Sequence, residues 1–136
     1  ADDARETMGA IRNLLKEGTY AYLIGPTEQN AEELYQLNKL IFGFESDDPT
    51  KQRACRIEEE FLPASKEFFT EATSRRVPRL IEFPTLDHYF EYFRATLLYR
   101  ESCKKAGRTP ETDEIAACGW DNLNLSKEVV VVEARR

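Results

Sequence analysis

Apolar positions along this chain recur mostly at helical spacing. Met8, Ile11, Leu14 and Leu15 share one face of a first helix expected over about residues 4–17. Asp2 and Asp3 offer capping oxygens and favourable charge at its positive end, and Gly18 ends it. Leu34, Leu37, Leu40 and Ile41 form the stripe of a second helix. Its start is expected at Asn30, with Glu33 three residues on in a capping-box pattern, and its stop at Gly43. Ser46-Asp47-Asp48-Pro49 reads as a turn. Asp48 then serves as N-cap and Pro49 as first residue of a third helix carrying Ala54, Ile57 and Phe61. Pro63 removes an amide donor inside the continuing pattern, so a break or kink is expected near Leu62. A further helix to about Thr73 follows, with Ala64, Phe68 and Ala72 four residues apart.

The longest apolar helical pattern begins after Thr85 and is expected to run unbroken to about Ala106, before Gly107. Leu86, Tyr89, Phe90, Phe93 and Leu97 form its core face, while Tyr92 and Tyr99 fall on another. Thr109-Pro110 opens a short helix to about Cys118, and residues 119–122 read as a turn. Three segments break the helical period. Residues 20–24 are aromatic and β-branched and close on Gly25-Pro26. Residues 80–83 lie between two prolines, and residues 128–134 contain four consecutive valines. The fold expected is therefore mainly α, one multi-helix domain over 1–136. A variant is α+β, with a small sheet from short strands near 20–24, 80–83 and 128–134.

Composition supports one ordered core: 41% of residues are hydrophobic and 32% charged, and 136 residues suffice for a single domain. Net charge is −6, which opposes binding to phosphate backbones unless the positive charge is gathered. It is partly gathered: Arg75 to Arg108 holds eight basic and four acidic residues, and the remaining stretches are all acidic. Cys55, Cys103 and Cys118 are odd in number and lack CxxC spacing, which fits buried thiols in a reducing compartment. No apolar run approaches the ~20 residues of a membrane span, and no leader is visible. The localisation expected is intracellular and cytoplasmic, without a membrane partner. The first residue is Ala1 rather than Met, so trimming or processing is expected.

Catalytic chemistry finds little footing in these residues. His88 is the one histidine; a nucleophilic site would need it within reach of a nucleophile and an orienting group. The acids at 47–48, 58–60 and 111–114 read as a turn and solvated helix faces. No glycine-rich phosphate loop is present, and no cofactor or metal is assigned.

The surplus of aromatic and basic side chains points instead to binding. Tyrosine and arginine are the residues richest in interface hot spots. The candidate surface is therefore Tyr92, Arg94, Tyr99 and Arg100, flanked by Arg75, Arg76 and Arg79 and by Lys104, Lys105 and Arg108. The function expected is a non-enzymatic protein-interaction module (an adaptor, regulator or assembly factor) that binds another protein or itself. A nucleic-acid-binding accessory protein using the same 75–108 stretch comes second. An enzyme with dispersed carboxylates comes third.

Overall fold

A computed structural model describes residues 2–46, 51 and 53–136. The turn and helix start expected at Asp47, Asp48 and Pro49 lie outside the described residues. In order along the chain stand α1 (Asp2–Leu14), β1 (Tyr20–Pro26), α2 (Glu32–Phe42) and a π-helical turn (Ile57–Phe61). There follow α3 (Leu62–Phe68), β2 (Glu71–Glu82), α4 (Leu86–Arg94), α5 (Leu97–Ala106), α6 (Thr112–Ala116) and β3 (Asn124–Arg135). The strands form one sheet in the order β1-β3-β2. With 48% helix and 24% strand, this is a small α+β fold, which overturns the mainly α expectation.

The strands were underestimated for a physical reason. β2 lies at the sheet edge and is exposed along most of its length, so it carries no apolar alternation to read. Pro78 is tolerated there because an edge strand has one row of backbone groups without ladder partners. Residues 69–73, expected as helix, leave α3 at Phe69, whose backbone is extended and whose side chain is buried. The Thr70 amide then donates to Arg135 O at 2.9 Å. Pairing with β3 outcompetes helical propensity there.

The chain divides into two compact units, Ala1–Asn30 with Thr50–Pro78 and Glu128–Arg136, and Ala31–Pro49 with Arg79–Lys127. In the first unit β1 and β3 pair antiparallel, from Tyr20↔Arg135 through Tyr22↔Glu133 and Ile24↔Val131 to Pro26↔Val129. Period-two alternation sends Ala21, Leu23, Val130, Val132 and Ala134 to one face. There the core gathers Ala4, Met8, Ala64, Phe69 and Ala134, with Ile11, Leu15, Phe61 and Phe68 packed against it. The α1 stripe is thus Ala4-Met8-Ile11-Leu15, and Leu14, expected inside, is 85% exposed.

Pro63 does not break its helix. The π turn before it absorbs the strain, with the Leu62 amide reaching back to Ile57 O, and Pro63 sits in the first turn of α3. This turn lies against β1 so closely that a Cβ on Gly25 would come 2.6 Å from Ile57 Cγ1. Glycine at 25 is what that approach requires.

The second unit packs α2 against α5 and α4 against α6. Its core is Leu34, Leu37, Tyr89, Phe90, Phe93, Leu98, Tyr99, Ile115 and Leu125. The capping box expected for α2 does not form. Ala31, in the left-handed region at φ 57°, precedes the helix. Glu33 instead accepts from the Ser126 amide and hydroxyl. In the first unit Asn30 Oδ1 accepts from the Glu128 amide at 3.2 Å. Gly43, at φ 79°, closes α2 as expected.

The long aromatic helix is two helices. Thr85 caps the first, accepting from the His88 amide at 3.2 Å. At its end the Thr96 backbone turns extended; its hydroxyl donates to Phe93 O at 2.7 Å and accepts from the Tyr99 amide at 3.2 Å. Threonine so placed competes with the helix for its own backbone groups.

Candidate interaction surfaces

The break at Thr96 redistributes the residues expected to bind. Tyr99 turns inward: it is 7% exposed, with its ring edge-on to Phe93 at 5.1 Å and tilted against Phe42 at 5.8 Å. Burial, and then the neighbouring Cys103, push its phenol up to about 12. Leu97, expected in the core, faces outward. Tyr92 keeps an exposed edge, with its ring 5.4 Å from Phe83 and the Lys127 ammonium 5.8 Å from its centroid. Arg94 donates to the Thr112 hydroxyl at 3.2 Å. Arg100 is exposed on α5.

Most of the basic flank is held by carboxylates or rings. Lys104 pairs with Glu101 at 3.3 Å. The Lys105 ammonium stands 4.6 Å from the Phe44 ring centroid. Arg108 forks onto both oxygens of Glu114 at 2.9 and 3.0 Å. Arg79 is exposed on β2 and Arg75 on the same strand in the first unit. The expected residues therefore belong to both units: Arg75 and Arg76 to the first, the other eight to the second.

Arg76 is the hub of a polar cluster in the first unit. Its guanidinium reaches Glu58 at 2.7 Å, Glu28 at 3.0 Å and Glu128 at 3.1 Å. Buried Thr27 joins by donating its hydroxyl to Glu128 at 2.7 Å. A hydrogen bond from its own backbone, and then Arg76, hold the Glu28 carboxyl below its ordinary range. The guanidinium itself is held more firmly protonated by Glu58 and Glu28. Cys55 lies beside this cluster; burial first, then Glu59, Glu28 and Glu58, push its thiol up, away from the reactive thiolate. Geometrically the cluster is a brace, tying the end of β1, the π turn, β2 and β3 together. Among the described residues, no group of three or more His, Cys, Asp or Glu is placed to hold a metal ion. His88 Nδ1 lies 2.7 Å from the Thr85 hydroxyl within its own cap.

The surface that sequence reasoning missed is the outer face of the first unit's sheet. Helices cover the inner face. On the outer face Tyr22 is 61% exposed, Ile24 64% and Tyr20 44%. The rings of Tyr20 and Tyr22 stack, 6.3 Å between centroids. Opposite them on β3 stand Val131, Glu133 and Arg135, the last with its guanidinium 5.9 Å from the Tyr20 centroid. Residues 20–24 are apolar at both parities, so the sequence marks a strand with two sticky faces but not which face is covered.

Among the described residues, no helix is long and apolar enough to cross a membrane. Comparison with known proteins adds no family: no protein-family model matches this chain, and no curated protein does.

Proposed function

We propose that the chain is a non-enzymatic protein-interaction module whose docking surface is the outer sheet face around Tyr20, Tyr22, Ile24 and Val131. One observation carries this reading: three large side chains in alternation on one strand, each between 44% and 64% exposed, on a strand whose other face packs a core. Scattered apolar residues are ordinary on surfaces, but a contiguous row rich in tyrosine marks interaction sites. Three of the eight basic residues in the 75–108 stretch weigh against the nucleic-acid alternative. Arg76, Lys104 and Arg108 are engaged by carboxylates of the same chain and would have to leave them to follow a phosphate backbone.

The test is site-specific photo-crosslinking in cells that express the chain. A photoreactive phenylalanine at position 22 should give a discrete adduct. The same group at position 91, exposed on α4, should not. Absence of any adduct from positions 20, 22 and 24 would overturn the reading.

A further inference from the structure

We infer that the partner on this face is a second copy of the same chain; the inference rests on the docking reading above. The argument is one of complementarity. An isologous interface joins a patch to itself, so the patch must carry both halves of every polar contact it makes. A face of one sign would repel its own copy. Here Glu133 and Arg135 stand two positions apart on β3, on the same face as the exposed tyrosines. On β2, Ala72 packs into the core, so alternation puts Glu71 and Arg75 on that outer face as well. Two acids and two arginines balance to zero around an apolar centre.

Register makes the match more specific. Tyr22 pairs with Glu133 and Tyr20 with Arg135. A two-fold axis in the plane of contact, crossing the strands between these two rows, sets each Glu133 against Arg135 of the other copy. The same axis sets each Tyr22 against the other copy's Tyr20. The Ile24/Val131 row of each copy lies beyond the Tyr20/Arg135 row of the other, so the contact centres on the tyrosine rows. Charge at larger scale does not oppose the approach. The first unit carries 12 acidic and 11 basic residues, so nearly all of the chain's net −6 resides in the second unit. A strongly acidic or basic partner, by contrast, finds no net field on this face to steer it.

Sedimentation velocity over about 1 to 100 µM tests the inference. The intact chain should move from 15.7 kDa toward twice that mass. Tyr22→Asp should remain monomeric throughout. Glu133→Arg or Arg135→Glu alone should weaken association about tenfold or more, and the two reversals together should restore most of it. Circular dichroism verifies folding of each variant, with Tyr20→Asp replacing Tyr22→Asp if the latter unfolds. A chain that stays monomeric at every concentration overturns the inference, as does a double reversal no better than the singles. A position-22 adduct of any mass other than two chains also overturns it while leaving the docking reading standing. Absence of any adduct removes both.

Discussion

At the scale of single residues, the least conventional feature of the second unit's core is a polar pair. Asn38 and Ser102 are both buried, and the Asn38 amide donates to Ser102 Oγ at 2.8 Å. Among the described residues Asn38 Oδ1 has no hydrogen-bond partner, so this pair is only half satisfied. A half-satisfied pair contributes less than apolar packing of the same shape. Ser102→Ala alone should therefore destabilise by about 1–3 kcal/mol, because it orphans the amide as well. Asn38→Leu with Ser102→Ala should be neutral or stabilising. Urea unfolding midpoints decide it, and a double variant weaker than the single one would show that the pair stabilises the fold as it stands. Nothing in the sequence announced this pair. Asn38 sits between Leu37 and Lys39 on a helix whose expected stripe is Leu34, Leu37, Leu40 and Ile41, and Leu40 is exposed.

At the scale of elements, local capping chemistry was legible and competition between elements was not. Thr85, Gly43 and Gly107 stand where a cap was expected, because a hydroxyl or a left-handed glycine acts on its own few neighbours. Ala95-Thr96 is compatible with a helix interior, yet the chain breaks there, with Thr96 capping α5 and Tyr99 packed against Phe42 and Phe93. Thr96→Ala removes both the N-cap of α5 and the tie to Phe93 O. A loss of about 1 kcal/mol is expected, read as a lower thermal midpoint, with Thr96→Ser close to the parent. If the alanine variant is as stable as the parent, the cap does not hold the break. The strands follow the same logic. β1 was legible from its tyrosines and β-branched residues. Of β2 only the end expected near 80–83 was legible; residues 71–79 were not, because an exposed edge strand is selected by hydrogen bonds to β3 and not by hydrophobic pattern. The exposed outer face of the sheet was half legible for that reason: its residues read as a strand, but covering one side of that strand is a tertiary event.

For the molecule as a whole, the Arg76 brace links stability to pH. The Glu28 carboxyl titrates below its ordinary value in the folded chain. It therefore stabilises above the ordinary carboxylate range, and that contribution is lost as pH falls through its depressed pKa. Arg76→Gln should lower the urea midpoint at pH 7 and shrink the fall in midpoint on going to acid. The effect should be small, since these side chains are partly exposed and screened by solvent. An acid limb unchanged by the substitution would place the pH dependence elsewhere.

The central position of β3 has a consequence for how the chain is made. β1 and β3 are neighbours in the sheet, yet more than a hundred residues of sequence separate Tyr20 from Arg135. Contacts that close loops of this length form late, after the entropy of closure is met. A chain growing from its N-terminus therefore carries β1 on its own until the final strand emerges. During that interval both hydrogen-bonding edges of Tyr20–Ile24 are bare. That bare segment has the composition from which intermolecular strand pairing starts. Once β3 arrives, one edge is covered, and the tyrosines outside the core become a surface with a fixed shape.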